Sequence, residues 1–164
     1  MFDRAVVNAG PLVALALLDL LDLLPALFAE CWVPEARQRG GSGGFEIGKP
    51  GAESLKEATG KVVSKLTPLP RPRCCVVELD FGEAEVISMA RNLSPCMAII
   101  DERRGRRIAR HVYGLSVKGT AGILVEAKRR SLINAVHPLL LELRASGYYL
   151  ADNVITAACQ AVDE

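Results

Sequence analysis

Three polar side chains in this sequence stand at junctions between predicted strands and helices. Asp101 follows the apolar run CMAII, Asn8 follows a predicted strand over Arg4 to Val7, and Glu83 lies at the start of the helical run GEAEVISMA. Polar residues just beyond the carboxyl ends of parallel strands converge on one edge of a sheet. Carboxylate and amide oxygens at such an edge are the ligand types that Mg²⁺ and Mn²⁺ prefer.

Each of these residues also has a purely structural interpretation. Asp101 could be the N-cap of a helix that begins at Glu102, because Asp is favoured at that position. Asn8 could cap the helix that follows the first strand in the same way. Asp80 and Glu83 have the three-residue spacing of a capping box, in which each side chain accepts a hydrogen bond from the backbone of the other residue. The sequence leaves both interpretations open at all three sites.

A basic segment follows directly on Asp101. Residues 103–130 contain nine basic residues and one acidic residue, Glu126, although the whole chain has a net charge of only +1. Because acids are almost absent, we expect little ion pairing within the segment and predict a phosphate-binding face, with a solvated helix surface as the alternative. The phosphate contacts are predicted at Arg103, Arg104, Arg106 and Arg107. Thr120 is predicted to cap the next helix.

Hydrophobic periodicity predicts alternating strands and helices throughout the chain. The predicted strands are Arg4 to Val7, Cys31 to Val33, Cys74 to Val77, Cys96 to Ile100 and Leu115 to Val117. The predicted helices are Pro11 to Leu18, Leu20 to Phe28, Glu53 to Leu66, Phe81 to Asn92, Glu102 to Tyr113, Ala121 to Arg130, Ala135 to Ala145 and a last helix in the tail. A glycine-rich loop is expected at about 38–52, and a connector with Pro68, Pro70 and Pro72 follows later.

Alternation of this kind predicts a three-layer α/β/α sandwich with a parallel sheet of four or five strands. At 164 residues the chain fits one domain over residues 1–164. The apolar run from Pro11 to Phe28 is interrupted by Asp19 and Asp22, so we expect two helices there and no membrane span.

Composition argues against several other classes of protein. The five cysteines contain no C-x-x-C pair, which argues against a zinc site or a disulfide framework and favours a reduced, cytoplasmic compartment. The stretch GGSGG lacks the lysine of a phosphate-binding loop, and the two histidines have no partner at ligand spacing. Aromatic residues make up only 5%, which argues against a stacking platform for single-stranded nucleic acid.

The order of several segments resembles the PIN-domain superfamily of metal-dependent ribonucleases, and within it a toxin-like prokaryotic branch. The resemblance rests on VVNAGPLVALALLDLLDLL, CWVPEA, LDFGEAEVISMA, IIDERRGRRIAR, VKGTAGILVEAKRRSLI and LLLELRASGYYLAD. It implies that Glu83 and Asp101 are metal ligands and that Thr120 lines the cleft. Asn8 departs from the pattern, because the superfamily usually has an Asp there.

The resemblance also implies a further acid after the second strand. Glu35 lies near that place, but the usual position falls within Arg37 to Gly40, which contains no acid. Glu35 is more simply an early-helix acid stabilised by the helix dipole, and Glu102 is a second doubtful contributor at the rim of the site. One lost carboxylate at Asn8 and one near Glu35 should weaken metal binding.

The sequence therefore favours a Mg²⁺- or Mn²⁺-dependent endoribonuclease of toxin type. The resemblance implies RNA as substrate, a small antitoxin protein that covers the cleft, and a homodimer. The alternative is a PIN-like module that has lost catalysis and binds nucleic acid or protein. A flavodoxin-like nucleotide-binding domain is a third hypothesis, although no glycine-rich phosphate turn follows the first strand.

Overall fold

A computed structural model describes residues 3–34, 66–69, 79 and 81–164. Its five described strands are all parallel and lie in the order β3-β2-β1-β4-β5, so β1 is central. The strands are β1 (Arg4–Val7), β2 (Glu30–Pro34), β3 (Leu66–Leu69), β4 (Met97–Ile99) and β5 (Ser116–Lys118). The predicted parallel sheet is confirmed. Its order differs from the flavodoxin-like order, which argues against the third hypothesis.

Side chains of the central strands alternate between two hydrophobic cores. Ala5 and Val7 of β1 pack into one core, and Val6 between them packs into the other. In β4, Ala98 lies on the same face as Val6, and its neighbours lie on the other face. Successive side chains of a strand point to opposite faces, and a parallel sheet is covered by helices on both of them. This is why the runs AVV and MAII are apolar without interruption.

Seven helices are described. They are α1 (Ala9–Leu17), α2 (Leu23–Leu27), α3 (Phe81–Asn92), α4 (Arg103–His111), α5 (Thr120–Arg129), α6 (His137–Ala145) and α7 (Asp152–Gln160). Helices α3 and α4 supply the core on the Val6 face, whereas the other five supply the core on the opposite face. The molecule is therefore a three-layer α/β/α sandwich, as predicted. None of these described helices has the length and apolarity needed to cross a membrane.

The strand order creates a crevice between β1 and β4. After β1 the chain continues into α1 on one face of the sheet, and after β4 it continues into α4 on the other face. Because the two connections diverge from neighbouring strands, they leave open space at the carboxyl edge between them, which is where α/β proteins bind ligands. Asn8 follows β1 directly and Asp101 follows β4 after Ile100.

Several predicted boundaries are wrong near the edge of the sheet. The helix predicted over Glu53 to Leu66 cannot include Leu66, which begins β3, and Pro68 lies inside that strand instead of in a connector. Among the described strands β3 has a neighbour on one side only, and proline is tolerated where one side of the backbone needs no ladder donor. The strand predicted over Cys74 to Val77 and the loop predicted at about 38–52 lie outside the described residues.

The last residue, Glu164, fastens the end of the chain to the start of α6. Its carboxylate accepts hydrogen bonds from the backbone N–H groups of Val136 at 2.9 Å and His137 at 2.7 Å, and it pairs with Lys128. This carboxylate therefore supplies the N-terminal cap that the side chain of Val136 cannot give. The hydrogen bond from Lys128 and those from the two amides lower the pKa of Glu164 to about 2.

We predict that Glu164→Gln lowers the melting temperature at pH 7 and that the difference disappears in acid. A carboxylate whose pKa is depressed in the folded state stabilises the fold above its unfolded-state pKa, about 4.3 for Glu, and this stability is lost as the pH falls towards 2. Melting curves between pH 7 and pH 2 measure the effect. The matched control is Asp163→Asn, because Asp163 is exposed. A melting difference that is constant across this range would contradict the carboxylate cap.

A candidate metal and RNA site at the carboxyl edge

Asn8 sits where β1 meets α1, at the level of the end of β4. Its backbone N–H donates to the Ile99 carbonyl at 2.9 Å, which extends the pairing of β1 with β4 by one residue. Its side-chain Oδ1 accepts from the Ala9 N–H at 2.9 Å, and Asn8 is the N-cap of α1. The predicted capping role is therefore confirmed. A second lone pair on Oδ1 remains for another partner.

The Asp101 side chain accepts three hydrogen bonds from two other parts of the chain. Its Oδ1 accepts from the Thr120 N–H at 2.7 Å, and its Oδ2 accepts from the Thr120 hydroxyl at 2.5 Å and the Tyr148 hydroxyl at 2.6 Å. Its backbone carbonyl accepts from the Arg106 guanidinium at 2.6 Å. Because a carboxylate has about four lone-pair positions, these three side-chain bonds leave about one free.

Asp101 caps a helix, but not the one that follows it in sequence. The N-cap of α4 is Glu102, whose carboxylate accepts from the Gly105 N–H at 2.6 Å. Helix α5 has Gly119 at its N-cap and no side-chain cap of its own, so Asp101 supplies the missing acceptor from the neighbouring strand. Two predictions are therefore wrong: Asp101 does not cap α4, and Thr120 does not cap α5 but lies inside its first turn.

Tyr148 is a contributor to this edge that the sequence analysis did not identify. The Gly147 N–H donates to the Arg144 carbonyl and the Tyr148 N–H donates to the Leu143 carbonyl, which is a Schellman ending of α6. Gly147 adopts a φ of +85°, and this left-handed turn sends Tyr148 back onto the core. A glycine followed by a large apolar residue after a helix is the signal that could have indicated this contact.

A tyrosine hydroxyl is protonated at neutral pH, and the surroundings of Tyr148 favour this form further. Burial is the main cause that raises the pKa of Tyr148 above its usual range, and the nearby Asp101 carboxylate raises it further. The phenol is therefore a donor, and never an anion, at neutral pH. Its oxygen lies 3.5 Å from the position that a Cβ on Gly10 would occupy, so Tyr148 spans from Asp101 to the start of α1.

Glu83 lies in the first turn of α3 and is only 6% exposed. Its carboxyl group packs against the first turn of α4, since a Cβ on Gly105 would lie 3.1 Å from Oε1. The preceding residue, Gly82, faces Asn8, because a Cβ there would lie 3.4 Å from Oδ1 of the asparagine. The start of α3 therefore adjoins both Asn8 and α4. Asp80 lies outside the described residues, so the predicted capping box stays a prediction.

The arginines of α4 have different surroundings. Arg103, Arg104 and Arg107 are exposed and line, with Glu102, His111 and two apolar residues, a shallow cavity of about 570 Å³. Arg106 is half-buried and donates to the Asp101 carbonyl, so it fixes the site and has fewer donors left for phosphate. The strands are parallel and α4 follows β4, so its first turn, with Arg103, lies at the carboxyl edge.

The expectation of little ion pairing in the basic segment is wrong. Glu126 pairs with both Lys118 and Arg130, at 2.8 Å and 3.2 Å. Lys128 pairs with Glu164, and the Arg129 guanidinium donates to the Ala161 carbonyl. One carboxylate can pair with two cations when the fold places both beside it. The basic residues at the end of α5 therefore hold the fold together, and the exposed arginines of α4 are the better candidates for phosphate contacts.

Buried thiols do not provide an alternative nucleophile. Burial raises the pKa of Cys31 to about 12 and that of Cys96 to about 11, so neither forms a thiolate at neutral pH. Cys159 is also buried, and all three are free.

The donor set suits one hard cation better than two. Within the described part of the chain, no three His, Cys, Asp or Glu side chains are grouped so as to hold a metal ion. Two carboxylates and an amide oxygen fit Mg²⁺ by type, because this ion commonly keeps several waters and takes only one or two carboxylates from the protein. Gly105 and Gly119 leave room beside these carboxylates where a Cβ would intrude. Glu35 lies outside the described residues.

We predict that Gly119→Ala destabilises the protein by about 1–3 kcal/mol, because the new methyl group would lie 2.7 Å from Oδ1 of Asp101. Asp101 cannot move away from this methyl group without breaking its hydrogen bonds from Thr120. Gly122→Ala in the same helix is the matched control: its Cβ would meet Lys118 at an ordinary 3.4 Å, and it should stabilise by about 0.5–1 kcal/mol. Urea unfolding measures both. Equal effects of the two substitutions would show that Asp101 is not held firmly.

Comparison with known proteins agrees with this architecture. A family model described as PIN domain matches residues 4–164. No curated protein and no solved structure matches the chain in the corresponding searches. The matched range covers nearly the whole sequence, including every strand and helix described above. The chain therefore belongs to the PIN domain family.

Proposed function

We propose that the protein is a metal-dependent ribonuclease that hydrolyses RNA phosphodiester bonds at the crevice between β1 and β4. The observation that carries the proposal is the position of Asn8 and Asp101 just beyond the neighbouring parallel strands β1 and β4, with Gly82, next to Glu83 at the start of α3, facing Asn8. Ligands of α/β proteins bind at such an edge. Membership of the PIN family, which has a nuclease-like fold, supports the same assignment.

In this proposal Asn8, Glu83 and Asp101 hold one Mg²⁺ or Mn²⁺ ion. When bound, such an ion polarises a phosphoryl oxygen and lowers the pKa of its water. The chain itself contributes orientation: Thr120 fixes both oxygens of Asp101, and Arg106 fixes the backbone of the same residue. Thr120 is fully buried beneath Asp101, so we assign it to holding that carboxylate and not to RNA contact.

RNA binding is assigned to the exposed arginines of α4. Arg103 and Arg107 are four residues apart and therefore lie on one side of the helix, about 6 Å from each other. Binding through phosphates does not read sequence, so specificity would come from elsewhere. An antitoxin protein that covers this edge, and a homodimer, are further proposals that rest on the toxin-like resemblance.

A second function is favoured by the chemistry of two residues. Asn8 brings no negative charge, and Asp101 has about one lone pair left after its three hydrogen bonds. Both features reduce the attraction for a cation. The second candidate is therefore a PIN-fold module that binds RNA without cleaving it.

We predict that cleavage of a single-stranded RNA requires added Mn²⁺ or Mg²⁺ and is lost in Glu83→Gln. Removal of a ligand should reduce the rate at least as much as the roughly 10–100-fold loss typical of an outer-shell partner. RNA affinity should persist, because the arginines remain. The matched control is Glu142→Gln on the exposed side of α6. Binding without cleavage at any metal concentration in the unmodified protein would select the second candidate.

Substitution of the two arginines tests RNA binding separately from cleavage. Replacing Arg103 and Arg107 with Ala should weaken binding and reduce the slope of log affinity against log salt by about 0.7 for each lost phosphate contact. Arg129→Ala removes one positive charge at the far end of α5, against two in the pair, and should leave that slope unchanged; urea unfolding checks that this variant is folded, because Arg129 donates to the Ala161 carbonyl. An RNA affinity that changes neither with salt nor with these substitutions would count against RNA as the ligand.

We also predict that Asn8→Asp tightens Mn²⁺ binding, measured by calorimetry. The substitution adds an anionic oxygen to the candidate site without adding bulk. Aspartate is as good an N-cap as asparagine, so α1 should keep its start. Asp22→Asn is the control for a general change of charge, because Asp22 is an exposed residue before α2. Unchanged affinity in Asn8→Asp would place the cation away from β1.

A further inference from the structure

We propose that Tyr148 restricts Asp101 to a single point of contact with a cation by occupying a lone pair of its carboxylate. The inference rests on the proposed function and adds a residue from the segment after α6 to the site. Tyr148 does not touch the cation in this proposal. It acts through Asp101, to which its hydroxyl donates a hydrogen bond at 2.6 Å.

The first step of the argument is the number of lone pairs on Asp101. A carboxylate binds a cation either through one oxygen or through both, and binding through both needs a free lone pair on each. Oδ2 accepts from two hydroxyl groups, those of Thr120 and Tyr148, and both of its lone pairs are therefore occupied. Oδ1 accepts only from the Thr120 N–H. Asp101 can thus offer one lone pair, on Oδ1.

The second step is that Tyr148 is not needed to orient the carboxylate. Thr120 already holds both oxygens, one through its backbone N–H and one through its hydroxyl. Thr120 is fully buried in the first turn of a helix, so its two donors are fixed in space. A third donor adds little orientation, but it occupies a lone pair and spreads the negative charge. The bond from Tyr148 therefore competes with a cation more than it prepares Asp101 for one.

The third step is how the fold brings the phenol to this place. The Schellman ending at Gly147 turns the chain, and the ring of Tyr148 packs against the core on the α1 face. The next residue, Tyr149, is 88% exposed. The aromatic ring of Tyr148 makes the packing contacts with the core, and a phenylalanine ring could make the same contacts. Packing therefore does not explain the hydroxyl. The chain therefore offers adjacent tyrosines of which only one reaches the site.

The test is Mn²⁺ affinity in the full-length protein, measured by calorimetry for Tyr148→Phe and Tyr149→Phe. Tyr148→Phe removes only the hydroxyl and should bind Mn²⁺ about three- to tenfold more tightly, because a hydrogen bond to a charged oxygen no longer competes. Tyr149→Phe should match the unmodified protein. Circular dichroism and urea unfolding check that both variants are folded. A purely structural role for the hydroxyl would lower stability without tightening metal binding.

The outcomes separate this inference from the proposed function. Tighter binding in Tyr148→Phe alone supports the role of Tyr148 in restricting Asp101. Unchanged or weaker binding in Tyr148→Phe, with clear binding in the unmodified protein, overturns the role of Tyr148 and leaves the metal site in place. Absence of Mn²⁺ binding in all three proteins, over millimolar concentrations, overturns both the inference and the cation assignment.

Discussion

The Asp101 carboxylate is the interaction on which the arrangement of the candidate site depends. It stands one residue beyond the end of β4 and binds the first turn of α5 through Thr120 and the turn after α6 through Tyr148. Three distant parts of the chain are thereby held together by one half-buried charged group. Hydrogen bonds to a carboxylate are strong where water is partly excluded, so this group fixes geometry that apolar packing alone would leave adjustable.

This constraint is compatible with a metal site, but it limits what the site can be. Asn8 and Asp101 lie at the carboxyl edge of the parallel sheet, and the glycines at positions 105 and 119 give the carboxylates of Glu83 and Asp101 room. The same hydrogen bonds that fix Asp101 consume most of its capacity as a ligand. With a neutral Asn8 also at this edge, the proposed cation would be weakly held and largely hydrated. The proposed nuclease and the alternative RNA-binding module would therefore have nearly the same structure. Metal affinity is the property that would distinguish them.

The basic residues fall into two groups: some form ion pairs or hydrogen bonds within the protein, and others are exposed to solvent. Acids at positions 126 and 164 take up the cations at the two ends of α5, and Arg106 donates to the backbone at Asp101. Arg103, Arg104 and Arg107 of α4 are exposed to solvent. The positive potential next to the acidic edge thus comes from one helix, and phosphate contacts would be made beside the proposed reaction centre.

The sequence by itself determined the class of fold and the positions of Asn8, Glu83 and Asp101 near strand ends and a helix start, because periodicity and junction residues are local signals. It did not determine their partners. Asp101 binds residues 19 and 47 positions away, and helix α5 takes its cap from another strand. Pro68 lies in β3, which is the outermost of the described strands, where a proline is tolerated. Such contacts depend on which elements the fold brings together, and only the tertiary structure decided them.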